Sequence, residues 1–244
     1  MSILKILLLA RLRLQGQIVR ILNPNLRPLR KNKMNKILNV FYPILAVAYL
    51  VSLSFLPYTG SPFFKALPII LLAGSVLYLY KAEFSTLIFG LGLIFSFLGD
   101  IVLALPMEKS FMIGLGLFLI AHLFYIYSFF ISARVDPMSR RNWIGMIIFF
   151  AIFMALLILP KAGALAIPVG IYLTVIAVMA GFASLQKQNG GLFFTAAFIF
   201  MVSDGLIAWN KFIQAIPNSA LFIMTTYYIA QGLLTRAKTR ITVK

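Results

Sequence analysis

Asp100, His122 and Asp204 are ionisable side chains set inside long apolar runs, LIFSFLGDIVLAL, GLGLFLIAHLFYIYSFF and AAFIFMVSDGLIAW. The chain has only five acidic residues and one histidine in 244, so two acids within hydrocarbon stretches are a large share of its negative charge. An ionised side chain near the centre of a bilayer costs about 2.5 to 3.5 kcal/mol on insertion scales, so such residues face the interior of a bundle and mark function. Two neighbouring carboxyls resist ionising together, which lets one hold a proton at neutral pH while the other is charged. That pairing suits acid and base catalysis, and Asp100, Asp204 and His122 are the candidate catalytic residues. The absence of cysteine removes thiolate nucleophiles, disulfides and cysteine-based metal sites. Two Asp and one His, with no HExxH and no second histidine, are a poor basis for zinc, so no metal is expected. No phosphate-cradling glycine loop, GxSxG elbow or dinucleotide fingerprint is present either, so no cofactor is expected.

The elements that must hold these residues are transmembrane helices. The sequence is 62% hydrophobic and 11% charged. Apolar stretches near 20 residues, the length that crosses a hydrocarbon core about 30 Å thick, recur along it. The pattern predicts an all-α, polytopic membrane helical bundle of about eight transmembrane helices, near 37–56, 63–80, 85–105, 110–132, 143–159, 164–184, 191–211 and 217–235. No linker after position 37 is long or polar enough for a separate soluble core, which leaves one transmembrane domain over 37–235 and a basic tail over 236–244. Residues 1–36 are basic and amphipathic rather than continuously apolar. They read as an extension lying on an anionic leaflet or, with Met34 as the initiator, as a stretch upstream of the domain.

The net charge of +17 comes from topology rather than from nucleic-acid binding. Eighteen Lys and Arg fall on the side of the N-terminus and four, Lys65, Lys109, Lys161 and Lys211, on the other. This positive-inside bias predicts an integral, multi-pass protein with both termini cytoplasmic.

The two acids sit in echoing contexts. An offset of 104 superposes GDIVLAL on SDGLIAW and puts Asp100 in the third span and Asp204 in the seventh. Spans that run in the same direction with acids at similar depth suggest a parallel repeat of two four-helix halves, with both carboxyls in one cavity. Small residues flank them: Gly90, Gly92, Ser96 and Gly99, then Gly114 and Gly116, then Ala196, Ala197 and Ser203, the composition of closely packed membrane helices. His122 and Tyr125 are three apart on the fourth span, and Tyr227, Tyr228 and Gln231 cluster on the eighth, so these polar groups can line the same cavity.

Four blocks carry a resemblance to a known family: GLIFSFLGDIVL (92–103), MIGLGLFLIAHLFY (112–125), FIFMVSDGLIAW (198–209) and YYIAQGLL (227–234). FFKALPIILL (63–72), and PVGIYLTVIAVM (168–179) with Tyr172, support them. In this order they resemble the lysoplasmalogenase or YhhN family over about residues 41–235. The family's Lys-Pro-Leu-Pro appears here as Lys65, Ala66, Leu67 and Pro68, without the first proline. The resemblance implies a membrane hydrolase that cleaves the vinyl ether of lysoplasmalogens to a fatty aldehyde and a glycerophospho-alcohol. Its partners would be a lysophospholipid substrate and membrane lipids. With that chemistry Asp100 and Asp204 share the acid and base roles, with His122 or Tyr228 positioning water or the ether oxygen. Lys65 is a candidate for the substrate phosphate, and Tyr125, Tyr172, Tyr228 and Gln231 for further substrate contacts.

A proton-coupled transporter also buries acids in repeated helices, and a hydrolase of another lysolipid would use the same acids. Gly99-Asp100 also echoes the Gly-Asp of intramembrane aspartyl proteases, although SDG at 203–205 is not their partner motif. The absence of cysteine makes topology directly testable. Single cysteines placed beside Lys81 and Lys187 are expected to react with an impermeant reagent from the cytoplasmic side only, and cysteines beside Lys109 and Lys161 from the opposite side only.

Overall fold

A computed structural model describes residues 26–81, 83–132 and 135–241, and these contain no β-strand. Eight long helical segments follow one another. The first, α1, is an α-helix over Leu26–Lys36 that widens to a π-helical turn over Ile37–Phe41 and resumes over Tyr42–Ser52. Pro43 explains the widening: it offers no N–H to the preceding turn, and the ladder shifts register around it. Then come α2 (Ser61–Leu79), α3 (Phe84–Leu103), α4 (Ser110–Phe130), α5 (Arg141–Ile158), α6 (Ala166–Ser184), α7 (Gly190–Phe212) and α8 (Ser219–Ile241). The ends fall within a few residues of the expected spans, apart from α1, which starts inside the predicted extension, and α8, which runs on through the predicted tail. Residues 1–25 of that extension lie outside the described residues.

Seven of the eight segments are long and apolar enough to cross a membrane. The eighth, α8, is excluded by its composition, since Thr225, Thr226, Tyr227, Tyr228 and Gln231 interrupt its apolar run. Those same residues show why the helix tolerates them: Tyr227, Tyr228 and Gln231 are buried against other helices, where partners replace the water that lipid cannot supply. By contrast α5 turns Phe149, Ile152 and Leu156 outward, the surface expected of a peripheral helix in contact with lipid. Lys238, near the end of α8, is also buried. Its ammonium donates to the Ser132 hydroxyl at 2.8 Å, to the Ser128 carbonyl at 3.2 Å and to the Ser85 hydroxyl, tying α8 to the start of α3 and the end of α4.

The most extensive helix pairs are α3 with α4 and α7 with α8, the pairs that the 104-residue offset relates. Small residues permit the first. A Cβ on Gly92 would lie 2.4 Å from the Tyr125 ring and 3.1 Å from the Ala121 carbonyl, and one on Gly99 would lie 2.7 Å from the Phe118 ring. Gly116 differs from the expectation of packing, since nothing lies within 4 Å of its missing Cβ.

Gly92→Val is therefore expected to lower the thermal midpoint in detergent by the equivalent of about 1 to 3 kcal/mol, whereas Gly116→Ala leaves it unchanged. Circular dichroism melts of the two variants beside wild type check both.

Candidate active site

Asp100 lies on the buried side of α3, 2% exposed, one residue after the glycine that brings α4 close. Its Oδ2 accepts the Tyr227 hydroxyl of α8 at 2.8 Å, and its Oδ1 stands 3.6 Å from the Lys65 ammonium of α2. The carboxylate is thus held by one donor and one cation from two different helices. On the α2 side the Lys65 carbonyl, three residues before Pro68, accepts the Tyr228 hydroxyl at 2.7 Å. Tyr42 of α1 in turn donates to the Tyr228 carbonyl at 2.5 Å.

From Tyr227 the polar network continues away from Asp100. Gln231, one turn along α8, donates to the Tyr227 oxygen at 3.4 Å and accepts the Tyr125 hydroxyl at 3.0 Å, while the Tyr125 and Ser96 hydroxyls lie 3.1 Å apart. Ser96 is one turn before Asp100 on α3, so the network closes back on its starting helix. All of these side chains are buried, and each of them has a hydrogen-bond partner within the network, as a low-dielectric interior requires.

Asp204 stands apart from this network. On α7 its Oδ2 accepts the Tyr172 hydroxyl of α6 at 2.5 Å, and among the described residues it has no ion pair. It is less buried than Asp100 and opens into a narrow cleft that Asp204 and Tyr172 alone provide with polar side chains; the other walls are apolar, among them Leu115, Phe118, Leu173 and Ile207. Asp100 does not line this cleft. Phe118 separates the two: its ring faces the cleft and packs edge-on against Tyr227 with centroids 5.9 Å apart. The single shared cavity expected for both acids is thus resolved into a dry paired carboxylate and a cleft-facing one.

His122 is fully buried behind Tyr172, with ring centroids 5.4 Å apart, and also packs on Phe200 at 5.0 Å. Its Nδ1 bonds the Phe118 carbonyl at 2.7 Å, and because a carbonyl only accepts, Nδ1 carries the hydrogen. Nε2 is buried and has no hydrogen-bond partner among the described residues. His122 makes no hydrogen bond to either aspartate, so its contact with them runs through Tyr172 and Phe118. Among the described residues no three His, Asp or Glu side chains are grouped to hold a metal ion. Of the expected site residues, Lys65, Asp100, Tyr125 and Gln231 belong to one network, Tyr172 and Asp204 to the cleft, and Tyr228 to the α2 backbone. Phe118 and Tyr42 were not singled out. The first had a signal in the facing Gly99, but nothing near Tyr42 marks a partner 186 residues away.

Removing one member of the Lys65–Asp100 pair leaves an uncompensated buried charge. Lys65→Met is expected to cost about 3 kcal/mol of stability, and adding Asp100→Asn to it is expected to restore part of the loss. Chemical denaturation of the two single variants and the double variant reads the coupling.

No solved structure matches the chain. Human lysoplasmalogenase TMEM86A is 33% identical over 187 residues, covering 71% of this chain and 76% of the human protein. Human lysoplasmalogenase TMEM86B is 31% identical over 176 residues, 72% of this chain and 74% of that one, and bovine lysoplasmalogenase TMEM86A is 33% identical over 187 residues. The profile of the YhhN family matches residues 60–237, a range that holds Lys65, both aspartates, His122 and the tyrosines of α4, α6 and α8, and the chain belongs to that family.

Proposed function

We propose that this protein hydrolyses the vinyl ether bond of lysoplasmalogens, with Asp204 as the proton donor. The observation that carries the reading is the placement of Asp204: a carboxyl fixed by Tyr172 in the wall of an otherwise apolar cleft, with no cation beside it among the described residues. Hydrocarbon walls favour the neutral acid over the charged one. The Tyr172 hydroxyl occupies Oδ2, which leaves Oδ1 to carry the proton.

The reaction needs one proton and one water. Asp204 gives its proton to the β-carbon of the vinyl ether, and the electron pair of the double bond forms the new C–H bond. The resulting oxocarbenium ion is captured by water, which returns a proton to the Asp204 carboxylate. The hemiacetal then collapses, releasing a fatty aldehyde and the glycerophospho-alcohol. Asp100 takes a different part. Anchored by Lys65 and Tyr227, it keeps its negative charge close enough to favour the cationic intermediate without entering the cleft. His122 packs on Tyr172 and holds the ring that orients Asp204. Relatives named lysoplasmalogenase over about three quarters of their length support the same substrate. The charge bias supports a chain with both termini in the cytoplasm and the cleft toward the opposite leaflet.

Purified protein is expected to release aldehyde from a lysoplasmenyl lipid. Asp204→Asn should lower kcat about 10²- to 10⁴-fold, and Tyr172→Phe should lower it less. Asp204→Asn that is folded and turns over at the wild-type rate would remove Asp204 from the mechanism. In D₂O the product aldehyde, trapped at once as an oxime, is expected to carry one deuterium on the carbon next to the carbonyl.

A further inference from the structure

Lys211 lies seven residues after Asp204 on α7, two helical turns and so about 10 Å along the axis, on the same face of the helix. It is exposed, and its ammonium sits over the Phe111 ring of α4, 5.4 Å from the centroid. Phe111 packs edge-on against Phe212 at 5.7 Å, and both rings line the cleft into which Asp204 opens. One end of the cleft therefore carries a carboxyl and a tyrosine in hydrocarbon. The other is framed by two aromatic rings and a solvent-accessible cation. This polarity complements an amphiphile whose anionic group stays outside while its apolar portion enters.

We propose that Lys211 is the contact for the head-group phosphate of the substrate, and that its two-turn spacing from Asp204 determines which carbon of the lipid meets the acid. This rests on the hydrolase reading above. In a 1-alkenyl lysophospholipid the path from phosphorus to the protonated carbon runs P–O–C–C–C–O–C=C, roughly 9 Å when extended at about 1.25 Å per bond. The Lys211 stem is long enough to absorb the small difference, since Cβ leans toward the helix N-terminus and the four methylenes can lie along the rings. The other cation near the acids, Lys65, is turned inward and engaged by Asp100 at 3.6 Å. Lys211 instead offers donors at the mouth, where a phosphate can stay hydrated while the chain is buried. The site thereby selects lysophospholipids over phosphate-free alkenyl glycerols.

Binding of a saturated 1-O-alkyl lysophospholipid, which has no double bond to protonate, reads the contact without turnover. In nanodiscs its affinity is compared with that of the matching 1-O-alkylglycerol for wild type, Lys211→Met and Lys211→Arg, each first shown to melt like wild type. The preference for the phospholipid is expected to fall about tenfold in Lys211→Met and to survive in Lys211→Arg. The same ratio in wild type and Lys211→Met would overturn the proposal. A lysoplasmenyl lipid added to wild type keeps the two readings separate: the phosphate preference without aldehyde would sink the hydrolase and leave the head-group contact standing.

Discussion

Burying the Asp100 carboxylate is the constraint around which the bundle is organised. A lone carboxylate in hydrocarbon is intolerable, so it must find a cation and a donor, and neither comes from its own helix. Lys65 supplies the charge from α2 and Tyr227 the hydroxyl from α8. Meeting both demands brings α2 and α8 together at the face of α3 that carries the acid. Further bonds then lock the arrangement: Tyr228 to the Lys65 carbonyl, Tyr42 to the Tyr228 carbonyl, and Gln231 to Tyr125. The glycines of α3 serve the same end, since Gly92 and Gly99 let α4 approach until Tyr125 and Phe118 touch the helix that carries the acid.

The two carboxyls sit in different surroundings. Asp100 is buried, paired with Lys65 and connected through Tyr227 to a run of hydrogen-bonded side chains. Asp204 has one hydroxyl partner and faces an apolar cleft, the setting that the proposed proton donor requires. Phe118 makes the division possible. Its ring lines the cleft and packs edge-on against Tyr227, the partner of Asp100, so that the cleft and the network meet at one side chain. A fused cavity with two free carboxyls would share protons between them and be accessible to water from both sides.

How far this was legible in the sequence follows from the range of the forces involved. Helix positions came from local composition, because crossing hydrocarbon imposes a length and a polarity on each segment by itself. The two aspartates, His122 and the polar run of α8 stood out for the same reason: an ionisable or hydrogen-bonding group in an apolar stretch is locally expensive. Partnership was not local. That Lys65 would turn to Asp100 rather than outward, that Asp100 would choose Tyr227, and that Asp204 would choose Tyr172 depend on contacts between helices 32 to 127 residues apart, and no spacing along the chain encodes them. The widened turn of α1 is intermediate. A proline at position 43 is visible in the sequence, but the π-helical turn before it is not.

The composition of α8 ties assembly to chemistry. Its tyrosines, threonines and glutamine make it the least suited of the eight helices to stand alone in lipid, and among the described residues it is the one long helix that fails the length-and-apolarity criterion for crossing. What it lacks in apolar character is returned by contacts with the rest of the bundle. Tyr227, Tyr228, Gln231 and Lys238 each find a partner on α2, α3 or α4, and Gly232 accepts the Tyr42 ring of α1 at a distance no larger residue would allow. The same helix supplies the Tyr227 hydroxyl to Asp100, so the paired carboxylate depends on α8 being docked against α2 and α3. Polar residues that weaken α8 as a solitary span are thus the ones that make the finished site specific.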